Sequence, residues 1–144
     1  MNEDKIKIDI GCGLNKKEGF IGIDLNSETH PDIVASAFDL PFENEGVDEI
    51  YSSHLVEHFS PDEAKLFFDE IYRVLKKGCP ADLKIDKDWS KKRLFKKDPT
   101  HKYRYTEKEI FDMVKNFSQK KVKDKIYFFK IYQPRRKIFV DLIK

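Results

Sequence analysis

Two carboxylates and a glycine turn carry the most specific chemistry in this sequence. Asp9 stands just before Gly11-Cys12-Gly13, and Asp24 ends the next apolar run, Phe20 to Leu25. Glycines let a backbone approach a ligand closely, and a carboxylate at the end of the following strand can accept from ribose hydroxyls. The order strand, turn, strand, acid therefore points to a nucleotide-containing ligand. Asp9 either braces the turn's amides, meets a cationic ligand group, or simply caps the turn. Cys12 has a reactive reading at a positive turn, but a small side chain packed under the loop is the ordinary behaviour of a free cysteine.

A second group of chemically able residues lies further along. His54, Glu57 and His58 spell HxxEH, the inverted form of a zinc-protease motif. On a helix, His54 and His58 would share one face and could share a metal. Zinc needs a third ligand, however, and a metal leaves the glycine turn unexplained, so no metal is expected. His101, with Trp89, Arg93, Tyr103 and Tyr105, belongs to the basic and aromatic stretch Lys87 to Tyr105. Long connections of this kind tend to carry function, so this one is expected to contact a substrate. The alternative for its aromatic residues is that they only anchor the loop.

These residues need a frame to position them. Ile6, Ile8 and Ile10 alternate as a strand, and Phe20 to Leu25 forms the second. LNKKEG between them is hardly more than a helical turn, so the helix that usually follows such a glycine loop must be very short or absent. Asp32 to Phe38 reads as a third strand, Asp39 to Phe42 as a turn, and Val47 to Ser53 as a fourth strand. Ser60, Pro61 and Glu63 open a helix with a capping box, and Ala64, Phe67, Phe68, Ile71, Val74 and Leu75 give it one apolar face before Gly78. Ala81 to Asp86 follows as a fifth strand. Thr106 with Glu109 caps a second helix through Phe117, and Lys125 to Tyr132 and Lys137 to Leu142 read as a hairpin.

With 144 residues, 13% of them aromatic, the chain suits one globular domain over residues 1–144. No run reaches membrane-spanning length, and the polar start MNEDK is no signal peptide. Cys12 and Cys79 form neither a CxxC pair nor a disulfide framework, which fits a reducing cytoplasm. The net charge of +2 conceals an asymmetry. Residues 1–75 hold 6 Lys/Arg against 17 Asp/Glu, and the remainder holds 22 against 9. The basic half suits an anionic partner such as RNA or a phosphorylated metabolite; the plainer reading is that the charges pair or face water.

Taken together, the motifs resemble the class I S-adenosylmethionine-dependent methyltransferases, especially those called type 11. IDIGCG is similar to the family's first motif, GIDL carries the acid at its ribose position, and FDLPF resembles its adenine-side element. VDEIYSSHLVEHF resembles the fourth-strand motif, FFDEIYRVLKKG the helix and turn after it, and DPTHKYRYTEKEI a segment before the last helix. The resemblance implies a Rossmann-like α/β fold, a mostly parallel sheet with a C-terminal antiparallel hairpin. It implies S-adenosyl-L-methionine as cofactor, met by Asp9, Gly11, Cys12, Gly13, Asp24, Leu25, Asp39, Leu40 and Ser53. His54 and His101 become candidate catalytic residues, and Trp89, Arg93, Tyr103 and Tyr105 candidate substrate contacts. The acceptor is a small molecule or RNA, and the thin flank left by the missing helix suggests a homodimer or a covering partner subunit. Two other readings stand beside this one. A non-catalytic methyltransferase-like partner subunit would explain the curtailed helix. A nicotinamide-dependent oxidoreductase shares the glycine turn and the acid but explains neither FDLPF nor HLVEH.

Overall fold

The computed structural model describes residues 5–87, 98–128 and 134–144. Its strands are β1 (Lys7–Ile10), β2 (Ile21–Asp24), β3 (Ile33–Val34), β4 (Glu49–Ser53), β5 (Pro80–Lys87), β6 (Gln119–Phe128) and β7 (Pro134–Ile143). Helix α1 (Pro61–Val74) joins β4 to β5, and α2 (Glu107–Met113) precedes β6. The strands form one sheet in the order β3-β2-β1-β4-β5-β7-β6. β3 to β5 run parallel to one another with β1 at the centre, while β7 lies antiparallel between β5 and β6. The expected Rossmann-like architecture is thus present, with its antiparallel C-terminal pair.

Both expected capping boxes are formed. Ser60 accepts from the Glu63 amide and Glu63 accepts from the Ser60 amide; Thr106 and Glu109 repeat the pattern. Such caps satisfy helix N–H groups that have no partner inside the helix. Several expected spans differ, among them β7, which begins at Pro134 rather than Lys137, and β4, which begins at Glu49 rather than Val47. β3 covers only Ile33–Val34: Ala35 still donates to the Asp24 carbonyl of β2 at 3.1 Å, and beyond it the Asp39 amide closes a turn onto the Ser36 carbonyl. α2 ends at Met113, after which Val114 and Phe117 close turns. β6 begins at Gln119 rather than Lys125, since the lysine-rich stretch pairs with β7 from Gln119↔Ile143 onward.

The helices cover one face of the sheet. Ile8, Ile10, Ile50, Leu83, Ile85, Ile138, Val140 and Leu142 are at most 1% exposed and share a single core with Phe67, Phe68 and Ile71 of α1 and Ile110 of α2. Positions between them carry Lys7, Glu49, Tyr51, Asp82, Lys84, Lys137 and Asp141, so strict alternation puts these on the opposite face. Parallel sheets are usually apolar and covered on both faces. Here the second face is charged, with Lys7 paired to Glu49 at 2.8 Å and Lys84 over the Tyr51 ring at 5.4 Å. Only around β1 and β2 does the loop after the glycine turn close over it. Asp9, 3% exposed, accepts from the Lys17 amide at 2.8 Å, and the Lys17 ammonium lies over the Phe20 and Tyr51 rings at 4.4 and 4.3 Å. A folded-back loop, without a helix, takes the place of the missing element.

Candidate functional site

The turn that leaves β1 sits where the chain direction splits, because β1 pairs with β2 on one side and β4 on the other. Ligands of open α/β sheets bind at such switch points, beyond the carboxyl ends of the strands. Gly11 and Gly13 have φ of 70° and 53°, in the left-handed region that a side chain disfavours. The Gly11 and Cys12 amides both donate to the Ile23 carbonyl, at 2.8 and 3.2 Å, which ties the turn to β2. Leu55 packs against Gly11 so closely that a Cβ there would lie 2.8 Å from its Cδ1. A Cβ on Gly13 would meet nothing within 4 Å among the described residues, so that side of the turn is open.

Asp24 faces the same opening. One carboxylate oxygen accepts from the Gly13 amide and the other from the Asn26 amide, each at 2.9 Å. A carboxylate oxygen accepts more than one hydrogen bond, so both retain capacity for a diol. Leu25, 73% exposed, adds an apolar surface beside it, and Asp39 is exposed nearby in sequence to the buried Leu40. These residues suit a cofactor with a ribose and an apolar ring. Leu40 itself is only 2% exposed and belongs to the core. Its amide donates to Glu70 at 2.7 Å and its carbonyl accepts from Arg73 at 3.1 Å, so the structure gives it a scaffold role beneath the Asp39 turn. Cys12 is buried and its thiol is pushed up by that burial, consistent with packing under the loop. Asp9 is likewise raised by burial, and its bond to Lys17 makes it a brace of the loop.

The carboxyl end of β4 supplies the second half of the site. Ser53 ends the strand, and Ser52 before it donates to the Ile10 carbonyl at 2.9 Å, locking β4 to the glycine turn. His54 then adopts a left-handed φ of 58°. The segment after it is a single 3-10 turn, Val56–His58, rather than α-helix, so His54 and His58 fall on different sides of Glu57. His54 Nε2 receives Lys137 Nζ at 2.6 Å, and its Nδ1 lies 3.5 Å from Glu57 and 3.9 Å from Asp86. Glu57 is 1% exposed, neither of its carboxylate oxygens has a hydrogen-bond partner among the described residues, and burial pushes its carboxyl up to about 7.

The Methyltransf_11 family model, described as a methyltransferase domain, matches residues 8–80, just over half of the chain. The chain belongs to this methyltransferase family. Solved structures agree on the fold. A SAM-dependent methyltransferase from Archaeoglobus fulgidus superposes with a TM-score of 0.78 at 18% identity, covering 97% of this chain and 86% of that one. One from Methanosarcina mazei gives 0.76 at 20% identity, covering 100% and 94%. Phosphoethanolamine N-methyltransferase 2 of Haemonchus contortus, solved in complex with S-adenosyl-L-methionine, gives 0.76 at 15% identity. This chain is covered in full by that match but spans only 49% of the Haemonchus protein. No curated protein matches the chain in sequence.

In this methyltransferase domain, the segment before α2 docks on the turn after β4. The Lys102 and Tyr103 amides donate to the Glu57 carbonyl at 2.9 and 3.3 Å. That places His101 beside His58, with ring centroids 4.9 Å apart. The two candidate catalytic histidines therefore both lie beside Glu57, in separate groups. Tyr105 corrects an expectation: it is 1% exposed and donates to the Phe59 carbonyl at 2.8 Å, so it is a core anchor and does not cradle a substrate. Tyr103 is 37% exposed, donates to Glu109 at 2.7 Å and packs on Tyr105. Trp89 and Arg93 lie outside the described residues. Among those described, sequence reasoning passed over Ser52, Lys137 and the central position of Glu57; only the HxxEH spelling signalled the last. No helix among the described residues is long and apolar enough to cross a membrane.

Proposed function

We propose that this chain binds S-adenosyl-L-methionine at the glycine turn and transfers its methyl group to an acceptor at the carboxyl end of β4. Asp24 carries the reading. Its carboxylate is fixed at the end of β2 by Gly13 and Asn26 and keeps lone pairs for ribose hydroxyls. When bound, the cofactor supplies an electrophilic methyl group on a sulfonium sulfur. The chain's own residues hold and orient. Gly11 and Gly13 present backbone, Asp24 would accept from the ribose hydroxyls, Leu25 and Asp39 would meet the base, and Ser52 keeps β4 in register with the turn. Alignment of this kind provides most of the acceleration for a displacement that needs little covalent help.

A base is needed only if the acceptor must lose a proton. Lys137, donating to Nε2, leaves the proton of His54 on Nδ1, so His54 acts as a donor until an acceptor displaces Lys137. Lys137 and the basic excess of residues 76–144 favour an anionic acceptor, a phosphorylated small molecule or RNA. The two free cysteines suit a cytoplasmic setting. A second reading, a non-catalytic partner subunit, is favoured by the loop that replaces the helix after the glycine turn; a homodimer or partner would then cover that flank. Incubation with methyl-labelled S-adenosyl-L-methionine and separated small-molecule and RNA fractions decides between them. Label in one fraction supports the enzyme; cofactor consumption in none supports the subunit.

A further inference from the structure

We propose that Glu57, His58 and His101 form a binding site for one divalent transition-metal ion of the zinc class. The three residues present ligand atoms that all lie within 4.8 Å of one another. A carboxylate with two imidazoles is the donor set of three-ligand zinc and iron sites, where one position stays open. The sequence spelling HxxEH lacked a third ligand. The fold leaves His54 out of that set and instead docks His101 beside Glu57 and His58, through the Lys102 and Tyr103 amides on the Glu57 carbonyl.

Three observations point to a ligand rather than to a chance cluster. Glu57 is 1% exposed, yet both carboxylate oxygens lack a hydrogen-bond partner among the described residues, a costly arrangement that a cation would relieve. His58 directs Nδ1 at the Thr100 carbonyl, 3.1 Å away, and at the Thr100 hydroxyl, 3.0 Å away. A carbonyl only accepts, so Nδ1 carries the proton and Nε2 keeps its lone pair. Metal-binding histidines are commonly oriented through such a carbonyl or carboxylate. Asp98 completes that outer layer: it fixes Thr100 through its amide and hydroxyl at 2.9 and 2.6 Å, and its other oxygen lies 3.7 Å from His101 Nε2.

The neighbouring group His54, Glu57 and Asp86 is similarly compact, but its histidine is set differently. Lys137 donates to Nε2 of His54, so Nδ1 bears the proton and has no lone pair to present to a cation. The two sides of Glu57 thus differ in kind, and only the His58 side is built to coordinate. A bound ion would pin residues 98–105 to the end of β4 and fix one wall of the acceptor site. The proposal concerns metal affinity alone and stands apart from the cofactor reading.

The test is a zinc titration of the chelator-stripped, full chain against a chromogenic competitor, without any methyl donor. One Zn2+ per chain is expected, and Co2+ in its place should give visible absorption bands. Glu57→Gln, His58→Gln and His101→Gln should each weaken Zn2+ at least tenfold, while His30→Ala leaves it unchanged, with far-UV circular dichroism checking the fold. Absence of stoichiometric Zn2+ and Co2+ binding by the unaltered chain overturns the proposal, and that result depends on no variant. Loss of binding in His54→Ala and Asp86→Asn but not in His58→Gln or His101→Gln overturns it too, by assigning the ion to the other side of Glu57.

Discussion

Alanine at Gly13 and at Gly11 separates what the glycine turn does for the fold from what it does for a ligand. Gly13 has φ of 53° and free space where an alanine methyl would stand, so Gly13→Ala carries only the left-handed backbone penalty. That penalty is about 1 kcal/mol, a loss of roughly 3 °C in Tm for a chain of this size. Gly11→Ala adds a contact 2.8 Å from Leu55 Cδ1 and 2.9 Å from Cδ2, so about 1 kcal/mol or more of overpacking joins the backbone term. Replacing Leu55 by Ala in the same chain should return that steric part but not the backbone part. The affinities should run the other way. A methyl at Gly13 fills the open side of the turn, and weakening of S-adenosylhomocysteine by tenfold or more, about 1.4 kcal/mol, is expected despite the small stability loss. Calorimetric titration and thermal melts of the two variants provide both readouts. Cofactor affinity within twofold of the parent in Gly13→Ala would refute the assignment of this turn as the cradle.

Asp24→Ala removes the acceptor for two amides and for the ribose; at about 1.5 kcal/mol or more for each hydrogen bond to a charged group, cofactor affinity should fall at least a hundredfold, as read by calorimetry. Tyr105→Phe leaves the buried Phe59 carbonyl without its donor and should cost about 1–2 kcal/mol of stability in a urea melt; an unchanged Tm with a raised KM would instead restore Tyr105 to the substrate. Glu70 is held below its usual range, first by the Arg73 hydrogen bond and then by the Leu40 amide. A carboxylate with a lowered folded-state pKa adds stability above the ordinary value of 4.5 and loses it as pH falls through the folded value. Glu70→Gln should therefore lower Tm at pH 7 by an amount that shrinks as pH is taken down through the folded value; a loss that stays constant down to the acid end of the folded range would show that ionisation of Glu70 is not what holds Leu40 and Arg73.

Much of this fold is written locally. The alternation of KIKIDI, the two capping boxes and the apolar face of α1 each arise from neighbours in sequence, and all are legible there. The same alternation also encodes the wet face of the sheet. In β4 and β5 a lysine, acid or tyrosine stands between successive inward residues, where a sheet buried on both faces would read apolar throughout. The start of β6 is obscured because its lysines lower local strand preference, and the partner that offsets this, β7, follows across residues 129–133. Of the site, the turn and Asp24 are readable because strand order and spacing define them. The burial of Tyr105 is not, because its hydroxyl partner, Phe59, is 46 residues away. The meeting of His58, Glu57 and His101 is hidden for the same reason, since only the docking of residues 98–105 creates it.

The most direct test of the account is a calorimetric titration of the purified chain with S-adenosylhomocysteine, run beside the same titration with NADH. Saturable binding of one S-adenosylhomocysteine per chain, lost in Asp24→Ala and with no heat from NADH, is the predicted result. Absence of heat and of any thermal shift at millimolar S-adenosylhomocysteine, or saturable binding of NADH in its place, would contradict it.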